Sequence, residues 1–341
     1  MNTAMLDDVS LIALLVAMGL YAAAFIAFAL DLARRSALVA DAATAAARQP
    51  SAVGATAARR GGTATMEREP ASGCARPRRD RPDAPVAAGR SISLNVAMVL
   101  LVVGFVAHAV ATVLRGLAAS RVPWANMYEF AMTGTLLILS VYLIVLTRRD
   151  LRFLGTFVTG LILILLGVAV VQYRVEVAPL PPSLQSYWLV IHVFVAALGT
   201  GFFALAFALS GVQLLQFRRE SLAADAQAVR MRFLATLPDS VTLESMAYRL
   251  NIVGFIFWTF TLMAGAIWAE RAWGRYWGWD TKEVWTFIIW VLYAGYIHAR
   301  ATRGWRGSRS AWLAIIGFSA VMFNFGVVNV FFKGLHTYSG L

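Results

Sequence analysis

Eight stretches of this chain are each long and apolar enough to cross a bilayer, and that constrains its fold more than any other feature. They run over roughly 10–31, 93–114, 128–147, 153–171, 187–216, 251–269, 284–301 and 311–332. A hydrocarbon core of ~30 Å needs about 20 residues of helix at ~1.5 Å each. Inside lipid every backbone polar group has to be satisfied within its own segment, so apolar runs of this length become helices. The expected architecture is an all-α integral membrane protein with about eight transmembrane helices. Only 14% of residues are charged and 60% are hydrophobic, which excludes an ordinary soluble domain.

The basic residues set the expected orientation. With eight spans, one set of connections (32–92, 148–152, 218–249, 299–310) carries 23 of the 30 Lys and Arg. The other set carries seven: Arg115, Arg121, Arg174, Arg271, Arg275, Lys282 and Lys333. The positive-inside rule assigns the richer set to the cytoplasm and both termini to the outside. The net charge of +12 is thus a topology signal and not a nucleic-acid footprint. Asp7 and Asp8 precede the first apolar run, where a cleaved signal peptide would carry positive charge.

The organisation reads as a first transmembrane helix (1–33), a cytoplasmic linker (34–92) and a seven-helix domain (93–341). The linker is rich in Ala, Arg, Gly and Pro and is expected to be disordered. It holds the single cysteine, Cys74, which excludes an internal disulfide and gives no reason to expect a catalytic thiol. A mixed stretch, 218–241, is expected to lie along the inner membrane surface. The sequence has no Cys/His cluster of zinc spacing and no Gly-rich phosphate loop.

The chemistry concentrates between Trp268 and Trp290, WAERAWGRYWGWDTKEVWTFIIW, which holds six of the eleven tryptophans. An interfacial aromatic belt places one or two Trp at a helix end. It does not account for Trp273, Tyr276, Trp277 and Trp279 interleaved with Gly274, Gly278, Asp280, Lys282 and Glu283. Such flat faces suit a flat, apolar ligand with charged edges.

These residues resemble the tryptophan-rich "WWD" signature of a haem-handling superfamily. The order of further motifs is similar to the CcsA/ResC family of cytochrome c biogenesis. Those motifs are Arg121-Val-Pro-Trp-Ala-Asn-Met-Tyr-Glu129, Ser186-Tyr-Trp-Leu-Val-Ile-His192, Tyr293-Ala-Gly-Tyr-Ile-His-Ala-Arg300 and Asn329 to His336. The likeness covers roughly 93–338. Thr281 stands where the family usually has Pro.

The resemblance implies a loop (268–285) on the outer face that holds haem b, with His192 and His336 as axial ligands of the iron. Trp273, Trp277, Trp279, Asp280 and Trp285 are its expected cofactor contacts, and Asp280 and Glu283 are candidates for acid or base work. His298 lies about 21 Å into its span. An ionisable group at that depth is a functional hypothesis by default, and the family places a haem-ligating histidine there. His108 is either a further ligand or a packed, hydrogen-bonded residue. Its depth differs from that of His298 by about 12 Å.

The implied activity is covalent attachment of haem to an apocytochrome c bearing Cys-x-x-Cys-His. The implied partners are a CcsB/ResB-like membrane protein and a thiol-reducing protein, in a bacterial plasma membrane or thylakoid-type membrane. A haem exporter or chaperone without synthase activity is the alternative. Other polar residues carry two readings each. Asn126 and Glu129 are spaced as a helix cap or contact haem. Arg271, Arg275 and Lys282 bind haem propionates or are solvated loop charges. Asn324 and Asn329 are expected to hydrogen-bond between helices.

Overall fold

The computed structural model describes residues 2–48, 91–180, 182–222, 233–302, 304–332 and 334–336. Among these every regular element is helical: α1 (Thr3–Arg48), α2 (Ile92–Ala119), α3 (Met127–Leu146), α4 (Gly155–Gln172), α5 (Tyr187–Ser221), α6 (Ser240–Trp273), α7 (Thr281–Thr302) and α8 (Ser308–Phe323). The chain continues from α8 through a π turn, Asn324–Val328, into a last short turn, Asn329–Phe331. Each expected span centres on one helix: 128–147 overruns α3 by one residue, 153–171 begins in the short turn Arg152–Leu154 before α4, and the eighth, which begins inside α8, finishes across the π turn and the short turn after it.

Seven of the spans are long and apolar enough to cross a membrane by length and composition. The helix left out is α7, which has the length but carries Lys282, Glu283, His298 and Arg300 among its 22 residues.

Two boundaries differ from expectation. Helix α1 runs on to Arg48, so the first part of the expected linker continues the helix, and 49–90 with Cys74 lies outside the described residues. Helix α6 begins at Ser240, where the carboxylate of Asp239 accepts the Thr242 N–H at 2.7 Å. Hydropathy locates the bilayer-crossing part of a helix and not its polar overhang. In the expected surface stretch 218–241, Arg218 and Arg219 belong to the last turn of α5, and 223–232 lies outside the described residues.

Helices α1 and α2 pack along their length, and α5 pairs with α6 in the same way. Helices α3 and α8 lie against α5, and α7 leans on α8 and α6. One apolar core joins them. Large apolar side chains on the outside, such as Val99 and Ile144 at 62% exposure each, form the surface that lipid covers.

At one end of the bundle a charged cluster ties four segments together. Arg115, fully buried on α2, donates through Nε to Glu129 Oε1 at 3.0 Å, through NH2 to Val175 O at 2.9 Å, and through NH1 to Asp7 of α1. Arg121 pairs with the other Glu129 oxygen at 2.6 Å. Asn126 caps α3, its side chain accepting the Glu129 N–H at 2.9 Å, so the capping reading of this pair holds. This end of the bundle is the one at which the α2–α3, α4–α5 and α6–α7 connections and the last turn meet.

Candidate functional site

A cavity opens at that end, enclosing about 1340 Å³ of space free of protein atoms, its mouth included. Its wall is mostly apolar. His192 from α5 and His336 from the turn after α8 both line it, with Trp268 of α6.

The Trp268 indole contacts both histidines. The His192 ring stacks on it at 5.8 Å between centroids, with planes 16° apart, and the His336 ring meets its edge at 5.4 Å. Trp273 completes the cluster, 4.8 Å from both Trp268 and His336.

Each imidazole is oriented through Nδ1. His192 Nδ1 lies 3.0 Å from the carbonyl oxygen of Thr261, and His336 Nδ1 lies 2.7 Å from Asp280 Oδ2. A carbonyl and a carboxylate only accept, so Nδ1 is the donor in both rings, and in the neutral imidazole Nε2 is then the nitrogen with the lone pair. Histidines that ligate a metal are held in this way.

The supports of these rings are local. Gly265 lies one turn beyond Thr261 on α6, and a Cβ there would meet His192 Cε1 at 2.7 Å. The absent side chain is what lets the imidazole lie against the helix. Asp280 sits between the loop and α7. Its oxygens also accept the Leu335 N–H at 3.2 Å and the Lys282 N–H at 3.4 Å. The hydrogen bond from His336 holds the Asp280 carboxyl below the usual carboxylate range.

Glu283 Oε2 accepts the N–H groups of Gly278 at 2.7 Å and Asp280 at 3.1 Å, pinning the loop to the start of α7. The geometry thus gives the two acid–base candidates positioning contacts. Gly274 ends α6 at φ +70, with its N–H on Glu270 O at 2.8 Å, the left-handed cap that glycine takes most readily. Trp279 is left-handed too, at φ +59.

Other expected site residues lie elsewhere. Trp277 and Trp279, 37% and 79% exposed, project from the rim, and Trp285 packs on Phe323 at 4.4 Å. None of the three lines the cavity. His298 is exposed on the outer side of α7. His108 is fully buried, with Nδ1 3.3 Å from the Tyr21 hydroxyl of α1, and is not brought to the cavity. Arg271 is a surface charge beside Glu270 at 3.5 Å, whereas Lys282 lines the cavity.

Sequence reasoning missed Gly265 and Thr261. Their only signal was a small residue and a polar one a single turn apart on a helix facing the His192 span. Among the described residues no group of three or more His, Cys, Asp or Glu could hold a bare metal ion.

The stretch from Trp124, on the near wall of the cavity, to His336 matches the family model described as "Cytochrome C assembly protein", over residues 124–336. The chain belongs to the cytochrome c assembly protein family. Among similar curated members is the cytochrome c biogenesis protein CcsA of Heterosigma akashiwo, 33% identical over 248 residues, covering 64% of this chain and 77% of that protein. The CcsA of Guillardia theta is 35% identical over 245 residues, covering 67% and 80%. The solved structure of the cytochrome c heme lyase CcmF aligns over the whole chain with a TM-score of 0.57 at 15% identity. The chain spans half the length of that protein, and the likeness is one of fold. This cytochrome c assembly protein is a multi-pass membrane protein, and assembling a cytochrome c means handling haem.

Proposed function

We propose that the cavity takes haem b as substrate, with His192 and His336 as axial ligands through Nε2, and presents it to an apocytochrome c for covalent attachment. The observation that carries this reading is the matched pair of Nδ1 contacts, 3.0 Å to Thr261 O and 2.7 Å to Asp280. They leave two free Nε2 lone pairs on the wall of one apolar cavity. Haem iron is commonly held by imidazole, and its behaviour is tuned by the hydrogen bonds on the far side of the ring.

In attachment, each thiol of the substrate Cys-x-x-Cys-His adds across a vinyl group. An S–C bond forms, the thiol proton goes to the other vinyl carbon, and the C=C becomes a single bond. The chain supplies position and orientation, so it needs no thiol of its own. The exposed Tyr276, Trp277 and Trp279 face the side from which the apocytochrome arrives.

The topology signal puts that side outside the cytoplasm, in a bacterial plasma membrane or thylakoid-type membrane. The partner is a CcsB/ResB-like membrane protein. An exposed histidine on a membrane helix is costly without a partner, which supports a second haem site at His298 completed from that protein. A thiol-reducing protein keeps the apocytochrome cysteines free.

The test is the absorption spectrum of the purified protein. Wild type is expected to show a low-spin, bis-imidazole haem. His192→Ala and His336→Ala are expected to lose it and to regain it with added imidazole. Wild type without haem would overturn the reading. Reconstitution with the partner and an apocytochrome separates synthase from exporter: haem bound but never covalently transferred would leave only the exporter or chaperone.

A further inference from the structure

Lys282 is the one formally charged side chain among the described residues that line the cavity. Its ammonium donates to the backbone oxygen of Asn324 at 2.9 Å and to Asn329 Oδ1 at 2.6 Å. An ammonium has three N–H groups. Two are taken by uncharged acceptors, and among the described residues no carboxylate pairs with it.

Asn324 is the first residue of the π turn, an irregularity frequent at functional sites. It is 4% exposed, it lines the same cavity, and its side-chain oxygen has no hydrogen-bond partner. A buried cation that forms no ion pair, with Asp280 acting on it only from a distance, and a buried amide oxygen without a partner are both costly in an apolar wall. An incoming carboxylate satisfies both. It accepts from the free ammonium N–H and from the Asn324 amide, which turns to present its NH₂ end. With a single positive charge in the wall, the complement is one monoanionic group and not a phosphate dianion.

We infer that Lys282 and Asn324 form a carboxylate anchor, selecting a tetrapyrrole with free acid side chains and fixing its rotation about the iron. The inference rests on the haem reading above and names a specificity that the axial histidines do not supply.

The test titrates the purified full chain with haem and with haem dimethyl ester, which keeps the ring, iron and vinyl groups but lacks the carboxylates. The bis-imidazole spectrum is the readout. Wild type is expected to bind the free acid at least about tenfold more tightly than the ester, the scale of one charge-assisted contact at 1.4 kcal/mol per decade. Lys282→Met is expected to abolish the preference and Lys282→Arg to keep part of it. Equal binding of the two forms by wild type, or a preference that survives in Lys282→Met, overturns the anchor and leaves the haem reading standing. Wild type showing the bis-imidazole spectrum with neither form overturns both. The comparison of two ligands on wild type does not depend on any variant folding.

Discussion

The imidazole of His336 donates to the carboxylate of Asp280 across 56 positions of sequence, at 2.7 Å. That contact fixes the tautomer and aim of a residue that lies beyond the last helix. Replacing Asp280 by Asn leaves an acceptor for the helix start but removes the charge. The loss of an outer hydrogen-bond partner of a ligating histidine typically costs ten- to a hundredfold in metal affinity. Haem titration of Asp280→Asn is expected to show a drop of that order, with the His192 side unchanged.

The same pair has a signed pH dependence. The folded Asp280 carboxyl is held below its ordinary range. Its stabilisation is therefore fully present above the unfolded carboxylate value, about 3.9, and is lost as pH falls through the folded one. Acid titration of thermal stability in detergent is expected to show a steeper acid limb for wild type than for Asp280→Asn. Coincident limbs would show that the pair contributes nothing.

At Gly265, binding and helix stability are set against each other. Alanine is the better helix former by about 1 kcal/mol, yet its methyl group would meet His192 at 2.7 Å. Gly265→Ala is expected to hold or raise the melting temperature while lowering haem affinity about tenfold or more. Absorbance titration beside a melting curve separates the two effects.

Trp279 holds a left-handed backbone at φ +59 while its indole is 79% exposed. A non-glycine residue there costs roughly 1–2 kcal/mol. Trp279→Gly is expected to keep or gain stability and haem binding, and to lose transfer to an apocytochrome. Full transfer by this variant would remove the rim indole from the docking surface.

Glu129 and Arg115 are both fully buried. Breaking a buried ion pair from one side costs up to about 3–5 kcal/mol, and it would leave Arg115 with Asp7 as its one carboxylate among the described residues. Glu129→Gln is expected to lower the unfolding temperature markedly, measured by static light scattering or a tryptophan melt in detergent. The loss would not be mended by adding haem.

Hydropathy made the helices legible because lipid imposes one requirement on every crossing segment. The expected start of α5 at 187 coincides with the observed Tyr187, where Ser186 accepts the Trp188 N–H. The overhang of α6 from Ser240 escaped because its polar face resembles a loop. At the site, His192, His336 and Asp280 were legible through the family motif, but the way they are held was not. Thr261 and His192 are 69 residues apart, and only the packing of α5 on α6 brings them together. The tryptophans were legible as a group and not as individuals: Trp268 and Trp273 flank the imidazoles, whereas Trp277 and Trp279 face outward, because the turn at Gly274 reverses the chain between the pairs. Thr281, in place of the family's Pro, opens α7 at a position where a ring without an N–H is tolerated equally well.

His192 is rooted in the first turns of a 35-residue helix; His336 hangs on a non-helical stub. In the proposed attachment reaction the helix-borne imidazole is the better anchored of the two, so the apocytochrome's own histidine is expected to displace His336 first. Release of product would then be directional, with the tail letting go while the α5 imidazole keeps its grip.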